Sequence, residues 1–554
     1  MMQMTGADLI VKLLERQGIR TIAGVPGGAA LPMYDALTRS EHIHHVLCRH
    51  EQGAGFIAQG MSRVSGQPEV CLASSGPGAT NLVTAIADAR LDSIPMIALT
   101  GQVPLSMIGT DAFQEVDIYG MTIPITKHNF LVRSAKELLD VIPAAFRIAM
   151  SDRPGPVLVD VPKDVQNQLV SFDEFPEVVT PDPAPTIDLA LIEEAARMIE
   201  AAEQPVLYLG GGVIHSGAAH MAVTLAEQAS LPTTMTLMAL GAMPMDHPLS
   251  LGMLGMHGAR YTNYALEEAD LLICVGARFD DRAIGKASEF CPNAKIIHID
   301  IDPSELHKIK TAHVAIAGDV GQVLTELLPR VKPKLRKRWL SHVESLKSRF
   351  PLAMPGLDNP RAPYGLIQAV ANCLDDNAII TSDVGQHQMW VAQAYPFRRS
   401  RQWLNSGGLG TMGFGFPAAI GAALAAPDRT VVCFSGDGSL QMNIQEMATA
   451  AQEGVNVKIV LMNNQSLGLV HQQQSMFYGK RIMASRYQKG VDFLRIAEGF
   501  GMRAVDLDLA PNPRAALAEA LNTPGPCLIH ATIDPQEFVY PMVPPGAANS
   551  EMIG

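Results

Sequence analysis

Two short polar clusters each follow an apolar run: VVCFSGDGS, ending in Gly436, Asp437, Gly438 and Ser439, and VKIVLMNN, ending in Asn464. Twenty-four residues separate the Gly-Asp-Gly from the Asn-Asn. Uninterrupted β-branched runs bounded by Gly or Asp suit strands covered on both faces. Ligands of open α/β sheets sit beyond the carboxyl ends of such strands. The spacing therefore predicts Asp437 and Asn464 at neighbouring strand ends. One carboxylate oxygen, one amide oxygen and a backbone carbonyl near Ser466 leave octahedral positions for phosphate oxygens and water, the usual way Mg²⁺ is held. Gly436 and Gly438 allow close backbone approach, and Ser439 opens a helix whose N-terminus favours an anion. Singly, Gly-Asp-Gly is a common turn and Asn-Asn a common cap. Together, each behind a buried-strand pattern, they point to a metal-held diphosphate.

Three further features could do chemistry. Glu51, in CRHEQGAGFIAQGMSR, opens a Gly/Ala-rich helical run whose small residues permit ligand approach; the local pattern fits a solvated glutamate equally well. Gly210, Gly211 and Gly212 follow the run VLYL, a placement suited to a dinucleotide, although the full GxGxxG spacing is missing. Arg282, in GARFDDR, could hold a carboxylate in a bidentate grip or could pair with Asp280 or Asp281.

These residues need a scaffold. Strand-like runs (VCLASS, MIALTG, VLVDVP, VLYLGGG, LLICVGARF, IIHIDID, VVCFSGDG, KIVLMNN, CLIHATID) alternate with helix-periodic segments along all 554 residues. That alternation predicts doubly wound α/β domains with parallel sheets. Pro-rich, acidic or basic connectors at 166–185 and 332–361 divide the chain into three domains, 1–165, 186–331 and 362–554. The first and third are similar: SSGPGATN parallels FSGDGSLQMN, and RPGPVLVDVPKD parallels TPGPCLIHATID. A net charge of −13 argues against nucleic-acid binding. The seven scattered cysteines, none in CxxC spacing, read as buried free thiols of a reducing compartment. The N-terminus reads as an amphipathic helix and the longest apolar stretch is too short for a bilayer, so a cytoplasmic, non-membrane protein is expected.

The Gly-Asp-Gly to Asn-Asn unit resembles the thiamine diphosphate-binding motif. Beyond it, GVPGGA, LCRHEQGA, TGQVP, IGTDAFQE, LGMLGMHG, GARFDDR, SDVGQHQMW, NSGGLGTMGFGFPAA and VPPGAANSEM are similar to the catalytic subunits of the acetohydroxyacid synthase family, most of all bacterial isozyme I, over essentially the whole chain. The resemblance implies an enzyme of valine, leucine and isoleucine biosynthesis. It would decarboxylate pyruvate and join the two-carbon fragment to a second pyruvate or to 2-ketobutyrate. It implies a pyrimidine-binding first domain, a flavin-binding middle domain and a diphosphate- and metal-binding third domain. Asp437, Asn464 and the Ser466 carbonyl would bind Mg²⁺. Glu51 would activate the aminopyrimidine. Pro26, Gly27, Val384, Gln386, His387 and Gly410 would contact thiamine diphosphate, with Met412 as the wedge that bends it. Gln114 and Lys163 would line the substrate approach, and Arg282 would hold the acceptor's carboxylate. FAD, in a structural role, would meet Arg153, the Gly210–Gly212 triplet, Leu254, Gly255, Met256 and His257. Its remaining contacts would be Gly276, Arg278, Asp280, Asp300, Ile301 and Asp319.

One position departs from the pattern. Where many synthases carry tryptophan in LGxVxQWQ, this chain has Gln473. A contact to one methylene decides about 1–3 kcal/mol, so a weak preference for 2-ketobutyrate is expected. Rival readings are a thiamine–flavin oxidase, a glyoxylate carboligase lacking the activating glutamate, a flavin-free catabolic acetolactate synthase, and a cofactor-binding scaffold without chemistry. The resemblance further implies at least a homodimer and a small regulatory subunit.

Overall fold

The computed structural model describes residues 1–554. The nine apolar runs all form strands, including Val431–Gly436 and Val457–Asn463, which lie side by side in parallel. There are three six-stranded sheets, each wholly parallel, plus one two-stranded antiparallel ribbon.

Strand order decides what each sheet can bind. Numbered along the chain, the strands of the first sheet (Thr21–Gly24 to Pro156–Pro162) lie in the order 2-1-3-4-6-5, and those of the third (Ile379–Ser382 to Cys527–Thr532) in the same order. The internal similarity seen in SSGPGATN and FSGDGS thus extends to topology. The middle sheet (Pro205–Leu209 to Val314–Ala317) follows 3-2-1-4-5-6, the dinucleotide-binding order. In each sheet the order reverses beside the first strand, and the crevice at that reversal is where ligands of such folds lodge. In the middle sheet the crevice lies between Pro205–Leu209 and Leu271–Val275, whose ends carry Gly210–Gly212 and Gly276. In the third it lies between Ile379–Ser382 and Val431–Gly436.

Both presumed connectors contain packed structure, contrary to expectation. Within 166–185, Leu169–Phe172 pairs antiparallel with Met2–Thr5 and buries Val170 and Phe172 in the first domain's core. Alternate burial supplies a period of two that Pro and acidic residues downstream obscured. Within 332–361, the Lys337–Arg349 helix buries Trp339, Val343 and Leu346 at helical spacing. Trp339 also donates its indole N–H to the Pro205 carbonyl at 3.0 Å. Lys337, Arg338, Glu344 and Arg349, which made this stretch look like a linker, occupy the helix's outer face. Arg336, just before the helix, is instead buried and donates to the Ile199, Ala202 and Ala229 carbonyls. The cysteines are all free, and all but the half-buried Cys373 are buried. No helix is long and apolar enough to cross a membrane.

The helix Glu51–Ser65 of the first domain lies against Gly415–Ala425 of the third. Contact is backbone to backbone: a Cβ added to Gly60 would strike the Ala418 carbonyl, and one added to Gly421 would strike the Ile57 carbonyl. Gly421→Ala is therefore expected to destabilise the protein by about 1–3 kcal/mol, the usual cost of overpacking a rigid contact. A melting curve unchanged by the substitution would show that the helices have room to separate.

Candidate active site

The third domain builds one half of the site. Asp437 and Asn464 stand where the parallel strands Val431–Gly436 and Val457–Asn463 end, so the predicted juxtaposition is present. The Asn464 side-chain oxygen accepts from the Ser466 backbone at 3.2 Å, and its amide donates to Gln386 Oε1 at 3.0 Å. Gln386 is itself fixed by bonds to Gln472 and to the Glu537 carbonyl, both 3.0 Å. Gln386 therefore fixes the orientation of the Asn464 amide, as outer groups do for the ligands of a metal centre. Ser439 donates its hydroxyl to the Val384 carbonyl at 2.5 Å. The ideal Cβ of Gly438 would lie 3.5 Å from Met412 Cε and 3.0 Å from Tyr487 Oη, which places Met412 beside the turn and adds Tyr487, a residue no sequence motif marked.

Electrostatics favour a cation here. Burial pushes the Asp437 carboxyl up to about 6, against hydrogen bonds from nearby backbone N–H groups that hold it down. Its Oδ1 has no partner although the residue is only 2% exposed. An unpartnered buried carboxylate oxygen is costly, and a divalent ion shared with the Asn464 and Ser466 oxygens offsets that cost. His387, whose side chain lies against Gly436, is held neutral by burial, its value lowered to about 3, with Nε2 unpartnered. These orphaned atoms fit a metal-bound anionic group.

The first domain gathers a second set of the expected residues beyond the carboxyl ends of its own sheet, Glu51 after the second strand and Gly76 and Gly78 after the third. Glu51 begins its helix, with one carboxylate oxygen accepting from the Asn81 amide at 2.9 Å. The other, Oε1, would lie 3.2 Å from a Cβ at Gly78. Gln114, held at φ +60°, packs over Gly76 of the same turn. Gly27 packs against Ser74, Pro26 is exposed beside it, and Lys163 is half-buried at the end of the Pro156–Pro162 strand. No hydrogen bond within the single chain joins Glu51 to Asp437 or Asn464; its only side-chain bond is to Asn81.

The middle sheet opens onto a cavity of about 880 Å³. The glycine triplet, Gly276, Arg278 and Asp280 form one wall, and Leu254, Met256 and His257 another. Asp300, Ile301 and Asp319 close the far side, with Arg153 contributed by the first domain. Gly255 is the exception in this set: it faces the Arg282 backbone, where an added Cβ would clash. Gly210 and Gly212 owe their lack of a side chain to the adjacent Gly276 turn, since a Cβ on Gly210 would strike the Gly276 carbonyl. Burial raises Asp300 to about 6. Arg153 reaches Glu305 at 2.8 Å and Ser93 at 2.8 Å. The same cavity is lined by Arg282, Gly410 and Gln473. Arg282 meets Asp281 only at 3.7 Å and is 66% exposed, while Asp280 caps the short helix with its carboxylate. The guanidinium is thus free for a ligand, which the motif alone left open. Ser93, Thr236, Gln388 and the Ser406–Leu409 stretch also line the cavity; Ser93 and Thr236 belong to no motif, and within SDVGQHQMW and NSGGLGTMGFGFPAA nothing singled out the others.

The thiamine pyrophosphate enzyme models match all three domains: N-terminal TPP binding at 4–121, central at 192–327 and C-terminal TPP binding at 383–531. The acetolactate synthase isozyme 1 large subunit of Escherichia coli K12 is 64% identical over 99% of this chain and 98% of its own. The chain belongs to the acetolactate synthase large-subunit family of thiamine pyrophosphate enzymes. Isozyme 2 of the same organism is 47% identical over 99% of both chains. The chloroplastic acetolactate synthase of Arabidopsis thaliana is 45% identical over 99% of this chain and 84% of its own. Membership of this family makes thiamine diphosphate the expected cofactor, and the orphaned Asp437 oxygen offers a place to test its metal. Mg²⁺ with thiamine diphosphate at a hundredfold excess over Kd is expected to stabilise the protein by about 2.7 kcal/mol. Asp437→Ala should abolish the shift in melting temperature; an equal shift in that variant would place the metal elsewhere.

Proposed function

We infer that this chain is the catalytic subunit of an acetolactate synthase: two pyruvates give acetolactate and CO₂, and pyruvate with 2-ketobutyrate gives acetohydroxybutyrate and CO₂. The observation that carries the reading is that Arg282 and Gln473 face the same cavity as the Gly410 turn and the middle-sheet glycines. A carboxylate-binding cation and a selector for the acceptor's side chain thereby share one space. Thiamine diphosphate, when bound, supplies the carbon at which pyruvate loses CO₂.

The protein's own groups have separable tasks. Asp437, Asn464 and the Ser466 carbonyl would hold Mg²⁺, with Gln386 fixing the Asn464 amide and His387 offering a neutral nitrogen. Val384, Gly436, Gly438 and Ser439 would cradle the diphosphate, and Met412, beside the Gly438 turn, would supply an apolar contact to the cofactor. Glu51, its carboxylate steered by Asn81, would hold the proton that the aminopyrimidine needs, and Pro26 and Gly27 would help to bind that ring. Arg282 binds the acceptor's carboxylate, so that its carbonyl meets the reacting carbon in a fixed orientation. Gln114 and Lys163 line the approach. The cavity at the middle sheet would take FAD through the lining residues described above. The overall reaction is redox-neutral, so the flavin's role is structural.

The two half-sites, Glu51 on one domain and Asp437 on another, are completed by a second copy of the chain. Apolar side chains stand exposed near both: Phe113 at 86% beside Gln114, and Met442 at 51% beside Asn443. A small regulatory subunit is a further partner, as the large-subunit names of the relatives imply.

Acetolactate formation from pyruvate should require thiamine diphosphate and Mg²⁺, and each is omitted in turn to test it. Glu51→Gln should lower kcat by about 10²–10⁴-fold while thiamine diphosphate still binds. Undiminished turnover in that variant would rule out the glutamate's role. Gln473→Trp should raise the preference for 2-ketobutyrate over pyruvate by on the order of tenfold or more, read as the product ratio in a competition assay. An unchanged ratio removes Gln473 from acceptor selection.

A further inference from the structure

The loop from Asn405 to Gly413 serves two places at once. Gly407, Gly408, Leu409 and Gly410 edge the cavity of the middle sheet. A few residues on, Met412 lies beside the Gly438 turn. Its middle, Gly408 to Gly410, is exposed, and Gly408 packs against Leu91 and Asp92 of another domain.

A buried charge cluster on that domain restrains the loop. Asp88 and Asp92 lie one turn apart on the Val83–Asp92 helix. Asp88 Oδ1 accepts from the Ser406 hydroxyl and, at 3.0 Å, from the Thr411 hydroxyl. The Ser406 oxygen in turn accepts the Thr411 backbone N–H at 2.8 Å, closing a small ring across the loop. Asp92 accepts the Gly407 N–H at 3.1 Å and the Gly408 N–H at 2.7 Å. Arg63 sits against both carboxylates, 2.7 Å from Asp92 and 3.4 Å from Asp88, with its guanidinium 4.8 Å from the Phe414 ring centre. Asp88, Asp92 and Arg63 are all buried. At the loop's other end, Asp383 takes the Gly413 N–H at 2.7 Å. Two carboxylates against one guanidinium leave an uncompensated charge in the interior, which is expensive unless hydrogen-bond donors face it. Those donors are the loop's own hydroxyls and amides.

We propose that Asp88 is a positioning residue: through Ser406 and Thr411, and with Asp92 and Arg63, it fixes the 405–413 loop so that one stretch of chain closes the middle-sheet cavity and sets Met412 at the Gly438 turn. The functional consequence rests on the reading of Met412 and thiamine diphosphate given above; the restraint itself rests on the hydrogen bonds.

The test compares Asp88→Ala, Ser406→Ala and the double variant in the full-length protein. Amide hydrogen exchange is followed first without cofactors. Exchange at Gly408 and Thr411 should speed up by on the order of tenfold in each single variant, with no further gain in the double variant, because the two groups act as a unit. Amides of the Val431–Gly436 strand should be unaffected. With cofactors present, half-saturating thiamine diphosphate should rise by a similar factor. Unchanged loop exchange, additive effects, or acceleration throughout the third domain would overturn the proposal. If Asp88→Ala fails to fold, Ser406→Ala decides by the same exchange measurement. A loosened loop in a protein whose parent shows no thiamine diphosphate dependence would sink the function proposed above and leave the restraint standing.

Discussion

The arrangement of the whole molecule depends on two helices lying nearly backbone to backbone. Glycines at 60 and 421 bring Glu51–Ser65 and Gly415–Ala425 so close that each added methyl would meet a carbonyl. The contact joins the first domain to the third, and functional residues cluster around it. Glu51 begins one helix and Arg63 lies near its end. The loop carrying Met412 leads into the other. A shift between these helices would move the Glu446 carboxylate, which accepts the Arg49 and His50 N–H groups, and the Arg63 cluster together. Rigid packing of this kind transmits displacement because interiors are close-packed and do not deform continuously.

Around that contact the protein buries an unusual number of carboxylates. Asp88, Asp383 and Asp437 are each pushed up to about 6 by burial. They differ in what compensates them. Asp383 is surrounded by backbone N–H donors and Asp88 by hydroxyls and a guanidinium. Asp437 alone retains an oxygen without a partner. A carboxylate with full hydrogen bonding holds structure in place; one left open waits for a ligand. That difference sets Asp437, the proposed metal ligand, apart from the other two buried carboxylates.

One strand order, used twice, carries unlike chemistry. The first and third sheets share 2-1-3-4-6-5, yet their acids follow different strands, Glu51 the second in chain order and Asp437 the third. One end presents Glu51 over Gly78; the other presents Asp437 over its own turn. The middle sheet, ordered 3-2-1-4-5-6, presents glycines instead. The middle cavity is formed within one chain, with residues of all three domains in its lining.

Much of this was legible in the residues themselves. Nine apolar runs, the Asp437–Asn464 spacing and the strand-end glycines depend on local periodicity, and a buried parallel strand writes its pattern continuously into the chain. The packed elements at 169–172 and 337–349 were hidden because their apolar residues are few and sit among prolines and charges. Strand order lay beyond the sequence, since it depends on which edges pair and not on any strand's own composition. Tertiary structure alone brought Arg282 and Gln473, nearly two hundred residues apart in number, to one cavity. It likewise set Asp88 against Ser406, because a long-range contact is fixed by how helices and sheets close on each other. The sequence determined which groups could do chemistry; packing decided which of them are left with an unsatisfied atom, and so which are free to do it.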